Sequence, residues 1–288
     1  MIVIFRRIFS MYDSLEQFWE HKRTERFAAN FLIMVFLTSL ALIELARQGL
    51  LPKGIAGLLP TNHYYAINVA FSMLLGLEVF GLVFSLAKSV SVSVGKQFEI
   101  LSLILLRHSF KEIVDFSEPL IWEQSLKPLM HMLSNAGGGL AIFLLLGLYY
   151  KLQQHRAISP NTGVAADFIA SKKIVALLLL ILFIIIGIVD GSRYLNGTAT
   201  DNFFSLFYTI LVYSDVLLVL ISLRYSSNYP IVFRNSGFAI ATVVIRLALT
   251  APPYFNVLLG AGAMLFAIGI TVAYNRFEKP YPPPSAHA

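Results

Sequence analysis

The stretch Glu78-Val-Phe-Gly-Leu-Val-Phe-Ser85 decides the fold, because a similar stretch, Asp215-Val-Leu-Leu-Val-Leu-Ile-Ser222, lies in the second half of the chain. Each begins with an acid inside an apolar run and reaches a serine seven residues later. A charge in hydrocarbon is costly and therefore rare. A rare feature that occurs twice at matching positions indicates an internal repeat.

An arginine completes each copy of this pattern. Arg107 lies 29 residues after Glu78, and Arg246 lies 31 residues after Asp215. At 1.5 Å of rise per residue, all four charges would lie about 15 Å from the flanking basic loops. We therefore predict two midplane ion pairs, Glu78–Arg107 and Asp215–Arg246, each on neighbouring antiparallel helices.

The composition is that of a membrane protein. Of 288 residues, 57% are apolar and 13% are charged, whereas about 25% of residues in a soluble domain are charged. Eight apolar stretches are long enough, or nearly so, to cross a hydrocarbon core of about 30 Å. They are 28–47, 65–87, 97–116, 130–150, 174–190, 203–223, 236–250 and 254–274. Because lipid does not tolerate unpaired backbone groups, these stretches predict an all-α polytopic membrane protein with eight transmembrane helices.

The outer ends of two predicted helices also match. Glu44 and Arg47 end the first helix as Asp190 and Arg193 end the fifth, with the same spacing of three residues. These are outer-edge charges, which water reaches. Because each half contains four helices, both halves face the same way and form a parallel repeat. The predicted organisation is an interfacial amphipathic helix (1–27), a first four-helix repeat (28–150), a cytoplasmic linker (151–173), a second four-helix repeat (174–276) and a cytoplasmic tail (277–288).

The basic residues predict the orientation. Of the 22 lysines and arginines, 15 fall on the side that carries the N-terminus, so the positive-inside rule places both termini in the cytoplasm. We expect an uncleaved first helix and an integral protein of a bacterial inner (cytoplasmic) membrane. Binding to anionic lipid of the inner leaflet is sufficient to explain the net charge of +6, so no nucleic acid partner is needed. Protein partners or a homo-oligomer are also expected, through the interfacial segments 1–26 and 111–127.

The second half resembles a known family. The residues that carry the resemblance are Tyr229-Pro-Ile-Val-Phe-Arg234, Ile240 to Arg246 and the glycine-alanine last helix, within the stretch 213–276. They are similar to the phosphate-starvation-inducible PsiE family of small four-helix inner-membrane proteins. The first half matches more loosely, through Glu78 and Arg107. The resemblance implies a membrane location and a four-helix unit, which would here be duplicated, but no established activity.

Small residues cluster in the fourth and eighth predicted helices. Ala136-Gly-Gly-Gly139 and Gly260-Ala-Gly-Ala263 favour close helix packing, with a pore-lining or dimer face as the alternative. Cysteine is absent, which excludes disulfides and thiolate catalysis. No phosphate loop, dinucleotide fingerprint or metalloprotease motif occurs, and isolated histidines do not indicate a metal site. We therefore expect no enzyme activity, no cofactor and no metal.

Two functions stay open at this point. In one, the protein is an accessory or scaffold subunit of a membrane complex, and its buried charge pairs fix the helix register. In the other, it is an ion or proton channel or transporter, in which Glu78 and Asp215 titrate. Ser85 and Ser222, two helical turns from the acids, would be second-tier polar residues of either site.

Overall fold

The chain folds into a bundle of helices. The computed structural model describes residues 2–52, 59–86, 90–153, 162–195, 203–225 and 229–277, and in these ranges every regular element is helical. The α-helices are α1 (Ile2–Trp19), α2 (Lys22–Arg47), α3 (Tyr65–Ser85), α4 (Val90–Lys111), α5 (Trp122–Leu152), α6 (Thr162–Leu195), α7 (Phe203–Tyr225), α8 (Tyr229–Thr250) and α9 (Phe255–Phe277), and a 3-10 helix (Glu112–Asp115) follows α4.

Seven of the helices in the described ranges are long and apolar enough to cross a membrane: α2, α3 and α5 to α9. This result supports an integral membrane protein with an all-helical fold. The third predicted span, α4, is not among the seven because it carries Lys96, Glu99 and Arg107. It is nevertheless surrounded by α3, α5, α8 and α9, an interior position where polar side chains find partners in other helices. An eight-span topology therefore stays a prediction.

Several helices extend beyond the predicted apolar spans. Helix α2 begins at Lys22 after His21, whose ring accepts a hydrogen bond from the Arg23 backbone. Helix α5 begins at Trp122 and contains Pro128, and α6 already begins at Thr162, within the predicted linker. Hydropathy identifies only the apolar part of a helix. The polar turns at the helix ends are therefore not predicted by it. Residues 154–161 of the linker and 278–288 of the tail lie outside the described ranges.

The outer segment 111–127, predicted as one amphipathic surface segment, is divided in the structure. Its first part is the end of α4 and the 3-10 helix, its middle (116–121) is not helical, and its last part is the start of α5. Asn62 donates to the carbonyl oxygens of Val114 and Phe116, both at 3.3 Å. The segment is therefore tied to the loop before α3.

Helix α1 lies against the bundle at the predicted cytoplasmic face. The Tyr12 hydroxyl donates to the Phe84 carbonyl oxygen at 2.9 Å, and Lys173 Nζ lies 2.5 Å from Asp13 Oδ1. The Trp19 ring centroid is 5.2 Å from that of Phe80. An amphipathic helix was predicted here, and these contacts dock it on α3 and α6.

Helices that follow one another in the chain pack together within each half, and the halves meet through α4 with α8 and α5 with α9. One continuous apolar core joins α1 and α3 to α9. Close approach depends on α5 glycines: a Cβ on Gly139 would lie 2.8 Å from the Ser102 carbonyl oxygen, and one on Gly138 would lie 2.4 Å from Val257 Cγ2. The close helix packing predicted for these small residues is therefore present at Gly138 and Gly139.

Candidate functional site: two buried ion pairs

The first ion pair joins α3 to α4. Arg107 Nη1 contacts Glu78 Oε1, and the side chains are 29% and 11% exposed, respectively. The structure thus brings together the first two residues that the sequence pairs. Arg107 is thus the most exposed of the four paired side chains.

The second ion pair is buried more deeply. Arg246 Nε lies 3.4 Å from Asp215 Oδ2, and the side chains are only 1% and 3% exposed. At this distance the contact is an ion pair, and its Nε–H and Oδ2 atoms make no hydrogen bond. Arg246 Nη2 donates instead to Gln97 Oε1 at 2.9 Å. This bond crosses from the second half of the chain to α4 in the first half.

The acids and arginines differ in their place along the helices. Glu78 and Asp215 lie well inside α3 and α7, but Arg107 and Arg246 lie one turn before the ends of α4 and α8. Helix positions alone do not give depth in a membrane, so the midplane location of the two pairs stays a prediction. Long side chains on a helix lean toward its N-terminus. This direction carries both guanidinium groups back toward the acids.

A cavity of about 50 Å³, lined by both apolar and polar side chains, lies beside Asp215 of the second ion pair, between α4, α6, α7 and α8. Its polar lining consists of Ser93, Gln97, Lys172, Asp215, Ser222, Asn235 and Thr242. Leu86 and Val90 line it too, at the predicted cytoplasmic ends of α3 and α4. The cavity therefore runs from Asp215 toward that face. A cavity of this size has room for water, since one water needs roughly 10–15 Å³ of such volume, and its polar side chains offer hydrogen-bond partners.

The two second-tier serines distinguish the halves. Ser85 and Ser222 are both buried, and each hydroxyl donates to the carbonyl oxygen three residues before it at 2.7 Å. Ser222 lines the cavity, but Ser85 does not. Glu78 and Arg107 do not line it either. The second ion pair therefore has a cavity beside its acid, and the first does not border this cavity.

The outer-edge charges also have different surroundings. Glu44 and Arg47, at the end of α2, form a cluster with His63 and Glu118. Asp190 is half-buried and Arg193 is exposed at the end of α6. The end of α2 is thus joined to the loop before α3 and to the segment before α5.

Sequence reasoning missed three polar contacts between distant parts of the chain. Gln97 is the first residue of a predicted span, and a polar residue at that position does not by itself indicate a contact. Asn256 donates to Asn135 Oδ1 at 2.7 Å, joining α9 to α5, and both are buried. His63 belongs to a loop without a motif. Polar residues near the ends of apolar spans are a signal that would have marked Gln97, Asn135 and Asn256, although not their partners.

Within the described residues, no group of three histidine or carboxylate side chains could hold a metal ion. The polar atoms of the site are instead those of an ion pair, amides and hydroxyls around a cavity. No family model, curated protein or solved structure matches this chain.

Proposed function

We propose that this protein is a non-enzymatic integral membrane protein with an ion pathway, and that Asp215 is its proton-binding residue. The observation that carries the proposal is the cavity that Asp215 lines and that runs toward the predicted cytoplasmic face. An intramembrane acid that water can reach is typical of proton relays in pumps and transporters.

The contacts of Arg246 support proton exchange at Asp215. A carboxylate held by a bidentate arginine would be a poor proton acceptor, but here the single ion contact is 3.4 Å long. A hydronium ion in the cavity would give one proton to the Asp215 carboxylate and become water. Arg246 would keep its hydrogen bond to Gln97 Oε1, so its charge would not lose every polar partner.

The first ion pair has a different role in this proposal. Glu78 and Arg107 are in direct contact and do not line the cavity. We assign them to fixing the register of α3 and α4, since pairing removes most of the cost of each buried charge. In a duplicated PsiE-like chain, one copy would thus have kept a structural ion pair. The other copy would have kept a carboxylate that exchanges protons.

Proton flux into proteoliposomes tests the proposal. A pH-sensitive dye would report flux under an imposed potassium diffusion potential for the wild type, Asp215→Asn and the control Glu78→Gln. We expect flux in the wild type, its loss in Asp215→Asn, and its retention per folded protein in Glu78→Gln. Absence of flux from well-folded wild-type protein would refute the ion pathway.

The two serines give a finer comparison. Ser222→Ala removes a hydroxyl from the cavity lining, and Ser85→Ala removes an equally bonded hydroxyl that does not line the cavity. We expect slower flux only in Ser222→Ala. Equal slowing in both variants would mean that the hydroxyls act through helix packing and not through the cavity.

An accessory or scaffold subunit is the second candidate, and helix α2 favours it. Only 6% of its most apolar window is buried, and its packing in the described chain is mainly against α3. The rest of its surface is available to lipid or to a partner helix. Native mass spectrometry of protein released from lipid nanodiscs tests this candidate, since a scaffold subunit should retain a second chain and a monomeric pathway should not.

A further inference from the structure

Four ionisable side chains meet at the predicted outer face, at the end of α2 and in the segments before α3 and α5. His63 lies at the centre of this outer cluster. Its Nδ1 is 2.8 Å from Glu118 Oε1, and its Nε2 is 2.9 Å from Glu44 Oε2. The His63 backbone N–H also donates to Glu118 Oε2 at 3.1 Å. Both ring nitrogens of one histidine therefore face carboxylate oxygens.

Arg47 gives the cluster a hydrogen-bond arrangement for each of the two protonation states of His63. Its Nη1 lies 3.1 Å from Glu118 Oε1 and 2.9 Å from His63 Nδ1. A ring nitrogen that donates to Glu118 cannot at the same time accept from Arg47. In the imidazolium form, Nδ1 donates to Glu118 and Nε2 to Glu44. In the neutral form, Nδ1 can accept from Arg47 and only one ring N–H remains to donate.

We propose that His63 is a proton-operated clasp, which in its imidazolium form binds the end of α2 to the segment before α5. The charge balance of the outer cluster supports it. With His63 protonated, two carboxylates face two cations and the cluster is neutral. With His63 deprotonated, one net negative charge remains, and Glu44 and Glu118 repel each other with less compensation.

The titration has a defined direction. The charged groups that face His63 are Glu44 and Arg47 on α2 and Glu118 before α5. The hydrogen bond with Glu118, and next that with Glu44, raises the pKa of His63 above its ordinary value, against the opposing effects of burial and Arg47. The same hydrogen bond lowers the pKa of Glu118. The clasp is thus complete below the ordinary histidine pKa of about 6.5 and opens as the pH rises through the raised value.

Spin-label distances test the clasp directly, because the chain has no cysteine to remove. Leu50→Cys and Leu120→Cys place labels on exposed residues at the end of α2 and before α5. In nanodiscs, from about pH 5 to about pH 9, we expect one short distance at low pH. A longer, broader distribution should replace it, with a midpoint above about 6.5.

Two variants make the result specific. His63→Gln should lose the transition, whereas His131→Gln should keep it, because His131 belongs to a different pair, with Glu112 Oε2 at 3.2 Å. The wild-type measurement decides the question even if His63→Gln does not fold. A distance that stays constant over the whole pH range, or a transition that persists in His63→Gln, would overturn the clasp. Proton flux is not part of this test, so the clasp and the ion pathway can fail separately.

Discussion

Arg246 and Gln97 are joined by a hydrogen bond between side chains 149 residues apart in sequence. The guanidinium group on α8 donates to the amide oxygen on α4, so a charge of the second half depends on a neutral group of the first. This bond, the Asn256–Asn135 bond and the shared apolar core all help to hold the two halves in one register.

Replacing Gln97 with leucine should destabilise the fold, because Arg246 loses its hydrogen-bond acceptor in a buried place. Hydrogen bonds to charged groups contribute about 1.5–3 kcal/mol, so we expect a loss of that order. Thermal unfolding in detergent measures it, with the exposed Gln124→Leu as control. An unchanged midpoint in Gln97→Leu would mean that water replaces the amide oxygen without cost.

The two ion pairs should differ in their response to removal of the acid. Asp215→Asn leaves Arg246 buried but with its hydrogen bond to Gln97, so we expect a loss below the about 3–5 kcal/mol of a fully broken buried pair. Glu78→Gln should cost less because Arg107 is partly exposed. The double variants with Arg246→Gln and Arg107→Gln should recover much of each loss. Denaturant unfolding of both double-mutant cycles checks this order, and equal losses for the two acids would contradict it.

Glycine positions on α5 give a packing test with an internal control. A Cβ on Gly139 would collide with the α4 backbone at Ser102, whereas a Cβ on Gly137 meets nothing within 4 Å. We expect Gly139→Ala to lower stability by about 1–3 kcal/mol and Gly137→Ala to leave it unchanged or raise it slightly. Unfolding midpoints of the two variants provide the comparison. A larger loss in Gly137→Ala would show that another surface of α5 is packed.

The stability of the outer cluster should depend on pH. Because the pKa of His63 is raised in the folded protein, its contribution is complete below about 6.5 and falls as the pH rises through the raised value. The wild-type unfolding temperature should therefore fall between about pH 6 and about pH 8 more than that of Glu118→Gln, which lacks the carboxylate facing Nδ1. Parallel curves for the two proteins would show that Glu118 does not influence the titration.

Charge spacing carried most of what could be predicted about the site. Glu78 with Arg107 and Asp215 with Arg246 lie on helices that follow each other in the chain, so their contacts depend on local antiparallel packing alone. Gln97 could not be matched to Arg246 in this way. Their contact depends on how α4 meets α8, which no periodicity of either helix specifies.

The fold was predicted in type but less well in its boundaries. Apolar length predicted helices at 28–47 and 130–150, yet α2 begins at Lys22 and α5 at Trp122. Helical hydrogen bonding continues into polar turns that hydropathy does not report. Loop residues were the least predictable: His63 and Glu118 are 55 residues apart, and the packing of the 3-10 helix against α3 brings them together.

Helices of the same rank face each other across the boundary between the halves, α4 with α8 and α5 with α9. If the halves are copies, an ancestral single unit would have exposed that surface and needed a second unit to cover it, as in a two-fold symmetric dimer. Joining both units in one chain fixes their stoichiometry at one to one. It would also let selection act on each copy separately. An acid that exchanges protons in one half would then not require the matching acid of the other half to do the same.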